Sequence, residues 1–229
     1  MFRAIGNLFS GRNRWSVSCA PAEKTNVKIL HIDSSILGEY SVSRQLSAET
    51  VARQKAEHPD ATVLYRDLAA DPLPYLTGAH LAARQGNPVT EATLEADLAI
   101  GNSHIEDLAA ADIIVIGVPM YNFSIPAQLK SWIDRVVVAG KTFQYGAAGP
   151  EGLLPAGKKA FLISSRGGIY TGDSPAAVLD HQEKYLSAVL GFIGVRDVVW
   201  IRAEGLSLGA EAKEAAIVQA QSEIALVPA

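Results

Sequence analysis

The chain has 229 residues, 48% hydrophobic and 19% charged, enough for one full-sized globular domain and too few for two of ordinary size. A formal charge of −4 gives no general attraction to nucleic acid or to an anionic membrane, which favours a small-molecule role. One cysteine, Cys19, cannot close an internal disulfide, and the longest apolar run, residues 113–120, falls far short of the roughly 18 needed to cross a bilayer, so a soluble cytoplasmic protein is expected.

Residues 1–26 carry Arg3, Arg12, Arg14 and Lys24 against Glu23 alone, a net of +3 that leaves −7 on the remainder. Rich in Ser, Asn, Gly and Arg and without apolar periodicity, this leader suits a targeting peptide or a disordered extension, and the domain is taken as residues 27–229. From residue 27, short β-branched runs alternate with longer amphipathic stretches, as in a parallel sheet covered by helices on both faces. Strands are expected at 27–33, 61–67, 112–118, 159–165 and 195–203; Ile113, Ile114, Val115 and Ile116, apolar without alternation, suit a central strand buried on both sides. Helices are expected at 41–57, 90–110, 124–139, 175–191 and 209–226, the third with Ser124 as N-cap and Pro126 in its first turn. Residues 71–88, with Pro72, Pro74, Gly78 and Gly86, interrupt the alternation and read as an excursion over the sheet.

In an open α/β sheet a ligand sits beyond the carboxyl ends of the strands, so the strand exits carry the functional information. The first runs Ser34-Ser35-Ile36-Leu37-Gly38-Glu39-Tyr40-Ser41-Val42-Ser43 into a helix: hydroxyls and helix N–H groups suit a phosphate, with no lysine or arginine before Arg44. Serines also cap and turn chains with no ligand present, and the residues alone leave both readings open. The third strand exits through Pro119-Met120-Tyr121-Asn122-Phe123, two aromatics about an amide, which suits a flat π-system. The fourth exits through Ser164-Ser165-Arg166-Gly167-Gly168, where paired glycines allow close approach and present adjacent N–H groups. Together the three exits describe a site for a flavin mononucleotide.

These motifs, with Gly149-Pro150-Glu151-Gly152-Leu153, Gly191-Phe192-Ile193-Gly194 and Ala203-Glu204-Gly205, occur in one order from about residue 27 to 226, and in that register the chain resembles the FMN-dependent NADH-azoreductase family, also described as NADH:quinone oxidoreductases. The resemblance implies a three-layer flavodoxin-like fold, five parallel strands in the order 2-1-3-4-5, working as a homodimer. By position, Ser35, Ser41, Val42 and Ser43 hold the FMN phosphate. Met120, Tyr121, Asn122 and Phe123 line the ribityl chain and ring, and Ser165, Arg166, Gly167 and Gly168 bond the pyrimidine edge. Val42 stands where relatives often carry Gln, and contributes only its backbone. Tyr121, Phe123 and Tyr145, with the excursion at residues 71–88, are expected to shape the acceptor pocket. The implied activity is a ping-pong transfer of two electrons from NADH or NADPH through FMN N5 to quinones and, in two cycles, to aromatic azo compounds, with no side-chain acid or base nominated.

Other chemistries are poorly supported. Residues 152–159 nearly spell a P-loop but enter a strand instead of leaving one, the five histidines are scattered, and no G-x-S-x-G elbow occurs. His181 reads as a helix-surface residue. A flavodoxin-type electron carrier, or an FMN-binding module without turnover, remain alternative classes.

Overall fold

A computed structural model describes residues 26–227, so the leader read at 1–26 lies outside the described residues except for Asn26. In chain order the elements are β1 (Lys28–Asp33), α1 (Val42–Glu57), β2 (Thr62–Asp67), α2 (Gly78–Arg84), α3 (Ala92–Ala110), β3 (Ile113–Pro119), α4 (Ala127–Val136), β4 (Phe143–Gly146), β5 (Gly149–Gly152), β6 (Lys159–Ser165), α5 (Glu183–Phe192), β7 (Asp197–Ala203) and α6 (Ala210–Leu226). Five strands form one parallel sheet in the order β2-β1-β3-β6-β7, which is 2-1-3-4-5 once the separate β4–β5 hairpin is set aside.

Two apolar layers hold the sheet. On one face Leu30, Ile32, Ile114, Ile116 and Leu162 pack under α3, α4 and α5 through Leu108, Trp132 and Leu186; on the other, Ile29, Val115, Phe161 and Ile163 pack under α1 and α6 through Leu46 and Ala220. Successive residues of β3 serve opposite layers, which is why that strand is apolar throughout and fully buried. Each such side chain, taken out of water, contributes about 1.5–3 kcal/mol before the entropy of ordering is charged against it. No helix among the described residues is long and apolar enough to cross a membrane.

Four local features differ from the sequence-based expectation. The third helix begins at Ala127, with Pro126 and not Ser124 as its N-cap, because Ser124 is drawn into a tight turn with Tyr121. The helix expected at 175–191 is split into a 3₁₀ turn, Pro175–Leu179, and α5, because the Asp180 carboxylate accepts from the N–H groups of Gln182 (2.9 Å) and Glu183 (3.1 Å) and starts the chain anew. The excursion contains α2, at whose start Thr77 N–H donates to His80 Nδ1 (3.2 Å), while His80 Nε2 meets Asp97 Oδ2 (2.8 Å) and Ser131 Oγ donates to the Leu73 carbonyl (2.7 Å). Those bonds tie residues 71–88 to α3 and α4. Finally, residues 143–152 form a hairpin whose Gly152 is packed against the chain at Gly194: a Cβ on Gly152 would lie 2.3 Å from Gly194 N. Only glycine permits that approach.

Candidate functional site

The exits of β1, β3 and β6 lie side by side, since these strands are neighbours in the sheet. Beyond β1, Ser34 Oγ donates to the Gly117 carbonyl (2.7 Å), anchoring the chain to β3 as it leaves the sheet. The chain then turns through Gly38 at φ +54°, a left-handed conformation that glycine adopts without penalty. Ser41 caps α1, accepting from Arg44 N–H (3.3 Å), and its hydroxyl lies 3.1 Å from that of Ser43. The N–H groups of Val42 and Ser43 have no partner among the described residues, as expected of the first turn of a helix. Two hydroxyls and two backbone donors are thus gathered at the positive end of a 16-residue helix.

Beyond β3, Tyr121 and Ser124 exchange both backbone hydrogen bonds (3.0 and 3.1 Å), with Asn122 at φ 48° and Phe123 at φ 70° between them. Two successive positive φ values closed this way make a type I′ turn, whose second central position normally goes to glycine. A phenylalanine there carries roughly 1–2 kcal/mol of left-handed strain. The residue is 42% exposed and its ring meets that of Tyr170 edge to face (6.2 Å between centroids), so little burial offsets that cost. Phe123→Gly is therefore expected to raise the melting temperature by a few degrees, corresponding to about 1 kcal/mol in a domain of this size. A lower melting temperature would mean that the ring's contact outweighs the backbone strain. The first two exits touch: the Tyr121 hydroxyl lies 3.3 Å from Ser35 Oγ and accepts from Ile36 N–H at 3.3 Å.

Beyond β6, Met120 N–H donates to the Ser165 carbonyl (2.9 Å), which joins the second and third exits. The carbonyls of Gly167 and Gly168 accept from Ser207 and Gly205 N–H (both 2.9 Å), whereas their own N–H groups have no partner among the described residues. A Cβ on Gly167 would fall 2.8 Å from Ser207 Oγ. Arg166 departs from the sequence-based expectation. Its guanidinium is buried beneath the turn, bonded to Asp180 (3.0 Å), Glu183 (2.5 Å) and Glu204 (3.2 Å), and the Arg166 backbone N–H donates to the Ala203 carbonyl (2.9 Å). With its nitrogens bonded to Ser164, Asp180, Glu183 and Glu204 and its side chain fully buried, it supports the exit from beneath.

A cleft of about 810 Å³ opens beside these exits, lined by Ile36, Tyr121, Asn122, Lys130, His181 and Tyr185 among others. It includes neither residues 41–43 nor residues 165–168, so it adjoins the donor-bearing turns without containing them.

The family model described as flavodoxin-like fold matches residues 27–226. An FMN-dependent NADH:quinone oxidoreductase of Rhizobium meliloti is 54% identical over 199 residues, covering 87% of this chain and 96% of the relative. One of Methylorubrum extorquens is 49% identical over 203 residues, 89% of this chain and all of the relative. Among solved structures, an azoreductase from Bacillus anthracis superposes with a TM-score of 0.78 at 32% identity, covering 87% of this chain and 97% of that one. The chain belongs to the FMN-dependent NADH:quinone oxidoreductase family. A further member of the same structural group, an FMN-dependent NADH-azoreductase of Bacillus anthracis in complex with FMN, superposes with a TM-score of 0.76 at 25% identity over 86% of this chain.

Within this oxidoreductase family's framework, the structure brings Ser35, Ser41, Val42, Ser43, Tyr121, Asn122, Phe123, Ser165, Gly167 and Gly168 to one end of the sheet. Tyr145 stands apart: it is 77% exposed on the β4–β5 hairpin, in edge contact with Phe143, and does not line the cleft. Residues 71–88 do not line it either. His181 precedes α5 instead of lying on it, donates its N–H to the Phe123 carbonyl (3.1 Å), and faces the cleft. Two supporting residues escaped the sequence reading. Gln182, fully buried, accepts from Ser164 Oγ (2.7 Å) and donates to the Val118 carbonyl (3.2 Å). Glu204 accepts from Tyr170 N–H (2.8 Å) and from the Thr171 hydroxyl. Only the Ala203-Glu204-Gly205 motif hinted at either.

Proposed function

We propose that the chain is an FMN-dependent NAD(P)H oxidoreductase acting on quinones and aromatic azo compounds, with the cofactor seated across the exits of β1, β3 and β6. The observation that carries this is the convergence of two sets of backbone donors without partners among the described residues, Val42–Ser43 and Gly167–Gly168, on either side of the strained Asn122–Phe123 turn. The donor set fits FMN: hydroxyls and a helix N-terminus for a phosphate, paired N–H groups for an electron-rich ring edge.

When bound, FMN supplies the chemistry, taking two electrons as hydride from NAD(P)H and passing them in a separate half-reaction to a quinone, with two rounds needed to cleave an azo bond to two amines. The protein supplies position. Ser35, Ser41 and Ser43 and the N–H groups of Val42 and Ser43 hold the phosphate. Met120 through Phe123 flank the ribityl chain and ring, held in one conformation by the Tyr121–Ser124 bonds. Ser165, Gly167 and Gly168 read the pyrimidine edge, and the two glycine N–H groups favour added negative charge there because they are fixed in place before it develops. The cleft beside Tyr121 and Asn122 takes the second substrate. A homodimer is part of this reading.

Purified protein is expected to be yellow. Anaerobic mixing with NADH should bleach its visible flavin band; a band that stays oxidised would overturn the proposal. Reduction of menadione by NADH with no partner protein distinguishes a turnover enzyme from an electron carrier or a flavin-binding module.

A further inference from the structure

The only cation in the first exit is Arg44, and it does not face the mouth of the turn. Arg44 is the third residue of α1, and its guanidinium folds back beneath the loop. There Nε and one terminal nitrogen donate to the Ser35 carbonyl (3.1 and 2.7 Å), while both terminal nitrogens grip the Asp67 carboxylate (2.7 and 2.6 Å). One of them also donates to the Tyr65 hydroxyl (3.0 Å). Asp67 is itself fixed at the end of β2, accepting from the N–H groups of Ala69 (3.0 Å) and Ala70 (3.2 Å).

A second carboxylate, Asp33, lies 3.9 Å from the guanidinium, buried and bonded by Ser47 Oγ (2.8 Å) and the Tyr65 hydroxyl (3.0 Å), with His31 Nε2 3.6 Å from it. Two carboxylates therefore face one guanidinium, and little of its charge is left to attract an anion. What Arg44 does instead is set geometry. With the Ser35 carbonyl held from below, the Ser35 hydroxyl is left to accept from Leu37 N–H (3.3 Å) and to meet Tyr121. The planar fork of arginine is what allows one side chain to hold a carbonyl and a carboxylate together, a pattern the single ammonium of lysine cannot reproduce. The mutual effect on protonation agrees: Asp67 raises the Arg44 pKa above its ordinary value, and Arg44 holds the Asp67 carboxyl below its own.

We propose that Arg44 is a positioning residue of the phosphate turn, acting through the Ser35 carbonyl and the Asp67 anchor on β2 and not through its charge. The inference rests on the reading of residues 35–43 as the FMN phosphate seat. It is tested by titrating flavin-stripped full-length protein and its variants with FMN and, separately, with riboflavin, which lacks the phosphate. Arg44→Lys keeps the charge and loses the fork. It is expected to weaken FMN binding about tenfold, on the scale of one or two lost hydrogen bonds, and to leave riboflavin binding nearly unchanged. Asp67→Asn leaves the guanidinium less balanced; positioning predicts weaker FMN binding, whereas attraction by charge predicts tighter binding. The proposal is overturned if Arg44→Lys binds FMN as the parent does, if Asp67→Asn binds it more tightly, or if either variant loses FMN and riboflavin in equal proportion. Should the parent protein bind riboflavin as tightly as FMN, the phosphate-seat reading itself fails, a result separate from any effect of the variants.

Discussion

Arg166→Leu is expected to cost about 3–5 kcal/mol of stability, the range for removing one partner from a buried ionic cluster. The side chain has no exposed surface, and its guanidinium stands between Asp180, Glu183 and Glu204, whose side chains are themselves at most 17% exposed. Leucine removes the charge and leaves three carboxylates close together in a poorly solvated space. Arg202 bonds Glu183, at 2.7 and 2.8 Å, and neither of the other two carboxylates. The damage extends to backbone structure, because Asp180 starts α5 and Glu204 holds Tyr170 N–H in the third exit. In a domain of this size the melting temperature should drop by on the order of 10 °C, with flavin content falling alongside it. Urea denaturation monitored by tryptophan fluorescence measures the cost directly; a loss below about 1 kcal/mol would mean that the carboxylates are relieved by water and that the cluster is not dry.

Gly117→Val is expected to be of similar severity for a different reason. Gly117 sits in β3 opposite Asp33 of β1 and Ile163 of β6. A Cβ there would lie 2.5 Å from Asp33 Oδ1, 3.2 Å from the Ser43 carbonyl and 3.3 Å from Ser47 Oγ. None of these can swing aside: Asp33 is tied to Ser47 and Tyr65, and Ser43 belongs to α1. Valine must push the start of α1 away from the sheet, at a cost of roughly 3 kcal/mol or more. Because that movement displaces Ser41 and Ser43, the folded fraction should purify with little flavin. Gly191 provides the control. A Cβ there meets nothing within 4 Å and its φ is not positive, so Gly191→Ala in α5 should stabilise by about 0.5–1 kcal/mol and leave flavin content unchanged. Equal flavin content in Gly117→Val and Gly191→Ala would sink the argument that Gly117 spaces the phosphate turn from the sheet.

Much of the fold was legible because its signals are local. The run Ile113-Ile114-Val115-Ile116 announces a strand buried on both faces, and β6 lies where its apolar run predicts, at Lys159–Ser165. The serines before α1, the aromatics after β3 and the glycines after β6 marked three strand exits, and the flavodoxin-like order of strands then places those exits together. The hairpin at residues 143–152 was not legible, since two four-residue strands bounded by glycine carry no usable period. Nor was α2, a helix of seven residues begun by a threonine and a histidine that reaches across to Asp97.

The site residues divide in the same way. The backbone donors of Val42, Ser43, Gly167 and Gly168 follow from their position at a helix start or a glycine pair, and the sequence by itself determined where they fall. Where the charged side chains point was decided only by the tertiary structure. Arg44 and Arg166 both lie in exits suited to an anion or an electron-rich edge, and both turn away, one to the Ser35 carbonyl and Asp67, the other to three carboxylates contributed from positions 180, 183 and 204. A guanidinium taken out of water must find its compensating charge wherever the fold brings one within reach. That partner is distant in sequence, whereas hydrophobic period and turn chemistry are properties of neighbouring residues.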